Sequence, residues 1–394
     1  MRITLFDYAP LREQLLPLTY TRPVAEIRVG ILTIAEKWAH FSDEAPAFHT
    51  QDYLQASWPA PLETGVWVNG AICPNVKLWD AIRKLEPGES LAHGDMPIAV
   101  NKRVGDSDNI EALFEEGAML YPHQVTIIER PWHIFKQNGA QIKADMDLVC
   151  TDRESMPFSD PFTRVYAPEN VFIEEGAQIK AAIINAEAGP VYIGKDARIH
   201  EGAIITGPFA LCEGAHVNPG AKMRGDTTIG PYSKVGGEVS NSVVFGYSNK
   251  GHDGFMGNSV LGTWCNLGAD TNTSNLKNNY SDVRVWSYAE QAMVDTEEQF
   301  CGLIMGDHSK CGINTMFNTG TVVGVSANVF GAGFPPKHIP SFGWGGAGGF
   351  ETYALDKALD TARRVMDRRH VDLDEEAIAI MTQLHKSTAA QRKG

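Results

Sequence analysis

Aliphatic residues recur at every sixth position from Ile193 through Ile199, Ile205, Leu211, Val217, Met223 and Ile229 to Val235. Ile173 and Ile179 carry the same step upstream. It resumes as Phe255, Leu261, Leu267 and as Met305, Cys311, Phe317, Val323, Val329. Four places after the key residue the side chain is small, as at Ala197, Ala203, Ala215, Ala221, Thr227 and Ser233. A helix repeats every 3.6 residues and a strand every 2.0, so neither alone sustains this pattern. A triangular parallel β-helix does: each hexapeptide makes one short strand and a turn, and three close a coil. The aliphatic residue then points inward, the small one fits the corner, and glycine tolerates the turn. Such a solenoid is predicted over 165–345. Breaks at about 236–254 and 270–304 are predicted to be loops leaving the coil, which commonly carry function.

The formal charge of −14 argues against a nucleic-acid backbone or an anionic membrane as the main partner. A small phosphorylated molecule is not excluded, because a local pocket can be basic on an acidic chain. The six cysteines form no CxxC pair, which argues against a disulfide framework or a zinc site. The start MRITLFDYAP has no long apolar run, and no segment approaches a membrane span. A cytoplasmic enzyme with reduced thiols is expected.

One histidine, His252, sits between glycines in SNKGHDGFMGNSVLGTWCNLGADTNTSNLKNNY, residues 248–280. An ammonium group is no nucleophile, and imidazole titrates near neutral pH, so a rigidly held histidine suits removal of a proton from an amine. A solvated loop histidine is the plain alternative. Phe255, Leu261 and Leu267 keep this stretch in the solenoid period, which favours the rigid reading.

The hexapeptide pattern resembles the left-handed β-helix of acyltransferases, and that resemblance implies a homotrimer. Gly251-His252, Asn266-Leu267-Gly268-Ala269 and Ser274-Asn275-Leu276 resemble three motifs of a bifunctional family, in that family's order and nearly its spacing. The family is the N-acetylglucosamine-1-phosphate uridylyltransferase/glucosamine-1-phosphate N-acetyltransferases. The resemblance implies His252 as general base toward acetyl-CoA, Asn266 on the sugar, and Asn275 orienting the histidine or helping to stabilise the oxyanion. Phe255 stands at the family's tyrosine. Asn218 and Ser240 stand at two basic positions that hold the sugar phosphate, so Arg224, Lys234 or Lys250 are candidates for that contact. The zinc-binding relatives of this fold need paired histidines, and His200, His216, His252, His308 and His338 are too separated.

Before the repeat, residues 1–160 mix helices and strands. Pro17–Pro23 (PLTYTRP) resembles sugar-phosphate nucleotidyltransferases with a Rossmann-like α/β fold. There a glycine-rich loop cradles a triphosphate, and basic residues neutralise charge as the sugar phosphate attacks. Here FDYAPLREQ replaces the glycines and Val24 the lysine, which leaves Arg12, Arg22 and Arg28 as candidates for the phosphates. Gly94-Asp95 echoes a magnesium-ligating pair, with a plain turn as the other reading. VWVNG (66–70), HGDMPIA (93–99), RPWHIF (130–135) and FPPKHIPSFGWGG (334–346) extend the resemblance along an alternative form of the bifunctional enzyme. The tail, 350–394, predicts a helix capped by Thr352 with Leu355, Leu359, Ala362, Val365 and Met366 on one face, then a second from Asp374 to about Lys386. Lys337 and the basic run Arg363, Arg364, Arg368, Arg369 are candidates for acetyl-CoA phosphates, the run also reading as a solvated helix face.

Three functions remain in view. The first is a two-activity enzyme making UDP-N-acetylglucosamine with Mg²⁺, UTP and acetyl-CoA. The second is a single acyltransferase whose front domain only binds a sugar nucleotide. The third, a non-catalytic scaffold, is disfavoured by the histidine and its asparagines.

Overall fold

The computed structural model describes residues 1–114 and 117–392. The chain forms two compact units: residues 1–15, 21–27 and 32–130, and residues 16–20, 28–31 and 131 onward. The helix Pro131–Cys150 therefore clusters with the second unit, although it precedes the repeat.

The first unit is built on a six-stranded mixed sheet. Thr4–Phe6 lies parallel between Ala47–His49 and Gly65–Asn69, and Met96–Lys102 pairs antiparallel with both Gly65–Asn69 and Ser90–His93. Phe6, Trp67, Val100 and Ile110 form one buried cluster. The helix Ile34–Ser42 starts where it does because Thr33 and Glu36 close a capping box, each side chain taking the other's backbone N–H.

The second unit is a parallel β-solenoid with three faces of nine, ten and eight strands. Face one runs from Val171–Ile173 to His338–Ile339. Face two runs from Gln178–Ile179 through Lys234–Val235, Asn249–Lys250 and Asn266–Leu267 to the closing hairpin Gly343–Thr352. Face three runs from Arg164–Tyr166 to Met316–Phe317. The period-six residues from Ile193 to Ile229 fill one continuous interior: Ile193, Ile199, Ile205, Leu211, Val217, Met223 and Ile229 are each at most 1% exposed. Phe255 is corrected: Met256 pairs with the inward Val239 and takes the core place, and Phe255 falls in the outward column beside Glu238.

The first predicted break is corrected. Lys234↔Asn249 and Val235↔Lys250 pair directly, so nothing leaves the coil between 236 and 254. That coil is only three residues shorter than the preceding one, in which His216 pairs with Lys234. The second break is an insertion. Cys301 N–H bonds to Asn275 O at 2.9 Å, and Leu276 bridges Phe300, so the neck is closed. Outside the neck, Arg284–Ser287 and Ala292–Asp295 form an antiparallel hairpin, with Trp286 stacked on His338 at 4.3 Å.

Two helices follow, Leu355–Asp367 and Glu375–Ser387. Asp374 caps the second by accepting from Ala377 N–H at 2.7 Å. Thr352 caps nothing, since it ends the last strand and Ala354 is the N-cap of the first helix. The buried stripe of that helix is Ala358, Ala362 and Met366, at i, i+4 and i+8.

Candidate functional site

His252 occupies the corner between faces two and three, and three side-chain donor contacts pin that corner. Asn218 Nδ2 donates to Gly251 O at 2.7 Å, and Lys250 Nζ donates to His252 O at 2.6 Å and Asp253 O at 3.2 Å. Gly254 closes the turn at φ +113, where an added Cβ would stand 2.2 Å from Thr271 O, so only glycine fits. The imidazole is exposed on a fixed backbone.

Lys250 is where the structure departs furthest from expectation. Its pairing with Val235 places it in the inward column, and it is 2% exposed. Burial pushes its ammonium down to about 8, against the opposing fields of Asp253, Asp270 and Cys311. With Nζ inside the coil on two carbonyls, Lys250 does not present its charge to a sugar phosphate.

The outward column of face two carries Arg198, His216, Lys234, Asn249, Asn266 and Lys310. Of these, Lys234, Asn249, Asn266 and Lys310 floor a groove of about 850 Å³. His252 and Asn266 line this groove together, with Asn218 beside them, Thr361 and Val365 from the first tail helix, and Arg368 and Arg369 from the turn that ends it. Arg369 Nη2 donates to Asn249 Oδ1 at 3.0 Å. Tyr247 and Trp264, stacked at 4.2 Å, also line it. Both sit at left-handed corners, φ 51 and 61, a conformation costly for bulky residues. Lys310 is pushed down to about 8 by burial, its Nζ donating to His308 O at 2.8 Å.

The other expected residues lie elsewhere. Asn275 is at the corner after face three, its Nδ2 donating to Asn258 Oδ1 at 2.8 Å, so one chain does not bring it to the His252 groove. Phe255 begins a face-three strand, and its N–H is held by Asn272 Oδ1 at 2.8 Å. Lys337 meets Thr319 Oγ1 at 3.4 Å, outside the groove lining. Arg224 pairs with Glu238 at 2.9 Å.

In the first unit, a helix, Ala9–Gln14, follows the first strand where a glycine loop would cradle phosphate. Arg12 is 7% exposed, donating to Tyr53 Oη at 2.7 Å with Asp7 Oδ2 3.4 Å from its Nε. Asp7 also accepts from Thr50 Oγ1 at 2.6 Å and Val24 N–H at 2.8 Å, while burial raises its carboxyl. Arg22 is 9% exposed in this unit; Arg28, 7% exposed, belongs to the second unit and donates to Ile31 O. All three guanidiniums are buried, and a triphosphate would have to displace protein partners of Arg12. Asp95 is exposed at the tip of the Ser90–Lys102 hairpin, beside Gly94 at φ +59. It lines two cavities of about 390 and 550 Å³, both shared with Tyr8; Arg130, at the start of RPWHIF, lines the larger. Among the described residues no group of three or more His, Cys, Asp or Glu is set to hold a metal. Mg²⁺ is commonly bound by one or two carboxylates plus substrate phosphates, and Asp95 offers one. No helix among the described residues is long and apolar enough to cross a membrane.

Residues 3–154 match the family model for sugar nucleotidyl transferases. A bifunctional sugar-1-phosphate nucleotidylyltransferase/acetyltransferase of Sulfurisphaera tokodaii is 28% identical over 144 residues, 36% of this chain and 35% of that protein. The bifunctional protein GlmU of Methanococcus aeolicus is 31% identical over 110 residues, 28% of this chain and 25% of that one. The matches thus span about a third or less of either bifunctional relative. An uncharacterized acetyltransferase, YaiX, of Escherichia coli is 27% identical over 161 residues, covering 40% of this chain and 69% of YaiX. Among solved structures, the polySia specific acetyltransferase NeuO aligns over 48% of this chain and 85% of its own, at 13% identity and a TM-score of 0.27. Arabidopsis UDP-N-acetylglucosamine acyltransferase aligns over 59% and 96%, at 14% identity and a TM-score of 0.26. A sugar nucleotidyl transferase domain followed by a parallel β-solenoid fits the bifunctional family that the motifs resemble.

Proposed function

We propose that this chain, a sugar nucleotidyl transferase domain joined to a parallel β-solenoid, is a two-activity enzyme making UDP-N-acetylglucosamine. On the solenoid, acetyl-CoA acylates the amine of glucosamine 1-phosphate. In the amino-terminal domain, UTP gives its uridylyl group to the sugar 1-phosphate and releases pyrophosphate. The acyl half is carried by one observation: His252 stands on a pinned corner and shares a groove with Asn266. The amine lone pair attacks the thioester carbonyl, the C–S bond breaks, and His252 takes the proton the nitrogen sheds. Asn266 offers an amide to the sugar. Mg²⁺, near Asp95, would neutralise triphosphate charge in the amino-terminal domain. A homotrimer belongs to this reading, and light scattering that returns one chain's mass would remove it.

A second reading is a single acyltransferase whose front domain only binds a sugar nucleotide. It is favoured by the Ala9–Gln14 helix in place of a glycine loop and by Arg12's engagement with Tyr53 and Asp7. Glucosamine 1-phosphate with acetyl-CoA should release free thiol, and N-acetylglucosamine 1-phosphate with UTP and Mg²⁺ should release pyrophosphate. Thiol without pyrophosphate favours the second reading; neither product sinks both. His252→Ala should abolish thiol release and leave pyrophosphate release intact. Loss of both would refute two independent sites.

A further inference from the structure

Beyond His252 and Asn266, face two carries basic side chains that no carboxylate neutralises. Successive rungs set Arg198 beside His216 and His216 beside Lys234. Arg368 and Arg369, in the turn that ends the first tail helix, line the same groove as Lys234. Among the described residues, none of Arg198, Lys234, Arg368 or Arg369 forms an ion pair with a carboxylate. Burial lowers Lys234, and the charged groups acting on it, Arg369, Arg198 and Arg368, are all positive. Burial, followed by Lys234, Arg198, His200 and Arg369, pushes His216 down to about 4, so its ring is a neutral hydrogen-bonding group at pH 7. A chain of formal charge −14 has carboxylates to spare, yet this cluster has none.

Repulsion of this kind is relieved by an anion, and guanidinium forks with an ammonium between them suit the oxygens of a phosphate. Arg369 is tied to the groove floor through Asn249, one rung from Lys234. Asn266 lies one rung further. At about 4.8 Å per rung, the basic end is about 10 Å from Asn266. We propose that the Lys234–Arg369 end of the groove binds a phosphate ester of the molecule whose reacting end lies at His252. The naming of that molecule rests on the acyl-transfer reading above, whereas the anion site does not. The phosphate has two possible sources: the nucleotide end of the acyl donor, or the sugar phosphate of the acceptor.

Calorimetry on the full chain tests this with two ligand pairs, coenzyme A against pantetheine and glucosamine 1-phosphate against glucosamine. Wild type should bind at least one phosphorylated ligand tenfold or more tightly than its phosphate-free counterpart. The double variant Lys234→Gln/Arg369→Gln should erase that preference while leaving the phosphate-free ligand unchanged. Loss confined to coenzyme A assigns the donor, and loss confined to glucosamine 1-phosphate assigns the acceptor. The exposed Arg368→Gln should give a smaller loss of the same sign even if the double variant folds poorly. A wild type with no phosphate preference, or variants that keep it for both pairs, would overturn the site. Inorganic pyrophosphate binding that falls in the variants, in a wild type that releases no thiol, would keep the anion site and sink the acyl-transfer reading.

Discussion

Replacing Lys250 by methionine should stabilise the protein at neutral pH and impair acyl transfer. The column it occupies otherwise holds Val217, Val235, Leu267, Cys311 and Val329, all in the solenoid interior. Burial depresses its ammonium from 10.5 to about 8. Between these values the unfolded chain binds more protons than the fold, so stability rises with pH there. The buried charge therefore costs about 3 kcal/mol, a penalty fully present below about pH 8 and gone above about pH 10.5. Methionine matches the stem and removes the charge. Losing two hydrogen bonds, at about 1 kcal/mol each, offsets the gain similarly at both ends of the pH range. The stability difference between variant and wild type should thus be about 2.5 kcal/mol larger at pH 7 than at pH 10. Urea unfolding of both proteins at both pH values, followed by circular dichroism, measures it. A difference that does not change with pH would refute a buried ammonium at this position. Thiol release should meanwhile fall about tenfold or more, because the His252 corner keeps only the Asn218 contact, while pyrophosphate release is unaffected. Unchanged thiol release would show that the corner does not need the lysine.

Three further outcomes follow from packing. Asn138→Ala should cost about 3 kcal/mol in a thermal melt, since the fully buried amide accepts from Gly30 N–H and donates to Asp226 O and Thr228 Oγ1; a loss under about 1 kcal/mol would contradict this. Gly268→Ala would set a Cβ 2.4 Å from Gly312 backbone, whereas at Gly220 nothing lies within 4 Å and only φ +68 is strained. Gly268→Ala should therefore lower the melting temperature far more than Gly220→Ala, and equal losses would refute close coil stacking as the cause. Burial pushes Cys265 and Cys301 up to about 12, so at pH 8 a thiol reagent should label these two only after urea; rapid labelling of either in the native chain would contradict the burial.

The solenoid was legible because its interior offers no other environment. A residue such as Ile205 or Val217 touches the coils above and below at one fixed step, and the sequence must repeat that step. The first unit was legible only by motif resemblance, because its short strands have no common period. The engagement of Arg12 with Asp7 and Tyr53 joins residues distant in sequence, and no local pattern announces it. Asn275 illustrates the converse. Its spacing from His252 suggested company, but successive corners of a triangular coil point to different edges, and it belongs to the corner after face three.

The misplacement of Lys250 has a physical origin that the sequence does contain. A short coil shifts the period-six phase between Val235 and Phe255, so counting by six loses the inward position and a polar stretch looks like an exposed loop. Alignment by strand restores it. Lys234-Val235-Gly236, Asn249-Lys250-Gly251, Asn266-Leu267-Gly268 and Lys310-Cys311-Gly312 are the same triplet on successive rungs: an outward polar residue, an inward residue, then glycine at the bend. The first positions form the floor of the groove, and the middle positions form the core. A lysine in the middle is thus forced inward by the pleat, and the acceptors it finds are the carbonyls of the bend itself. His252 follows the glycine in its own triplet, as Asp270 and Asn314 stand a little beyond theirs at left-handed corners. What sets the His252 bend apart is the cation beneath it, and that cation is therefore better read as holding the histidine's backbone than as meeting substrate.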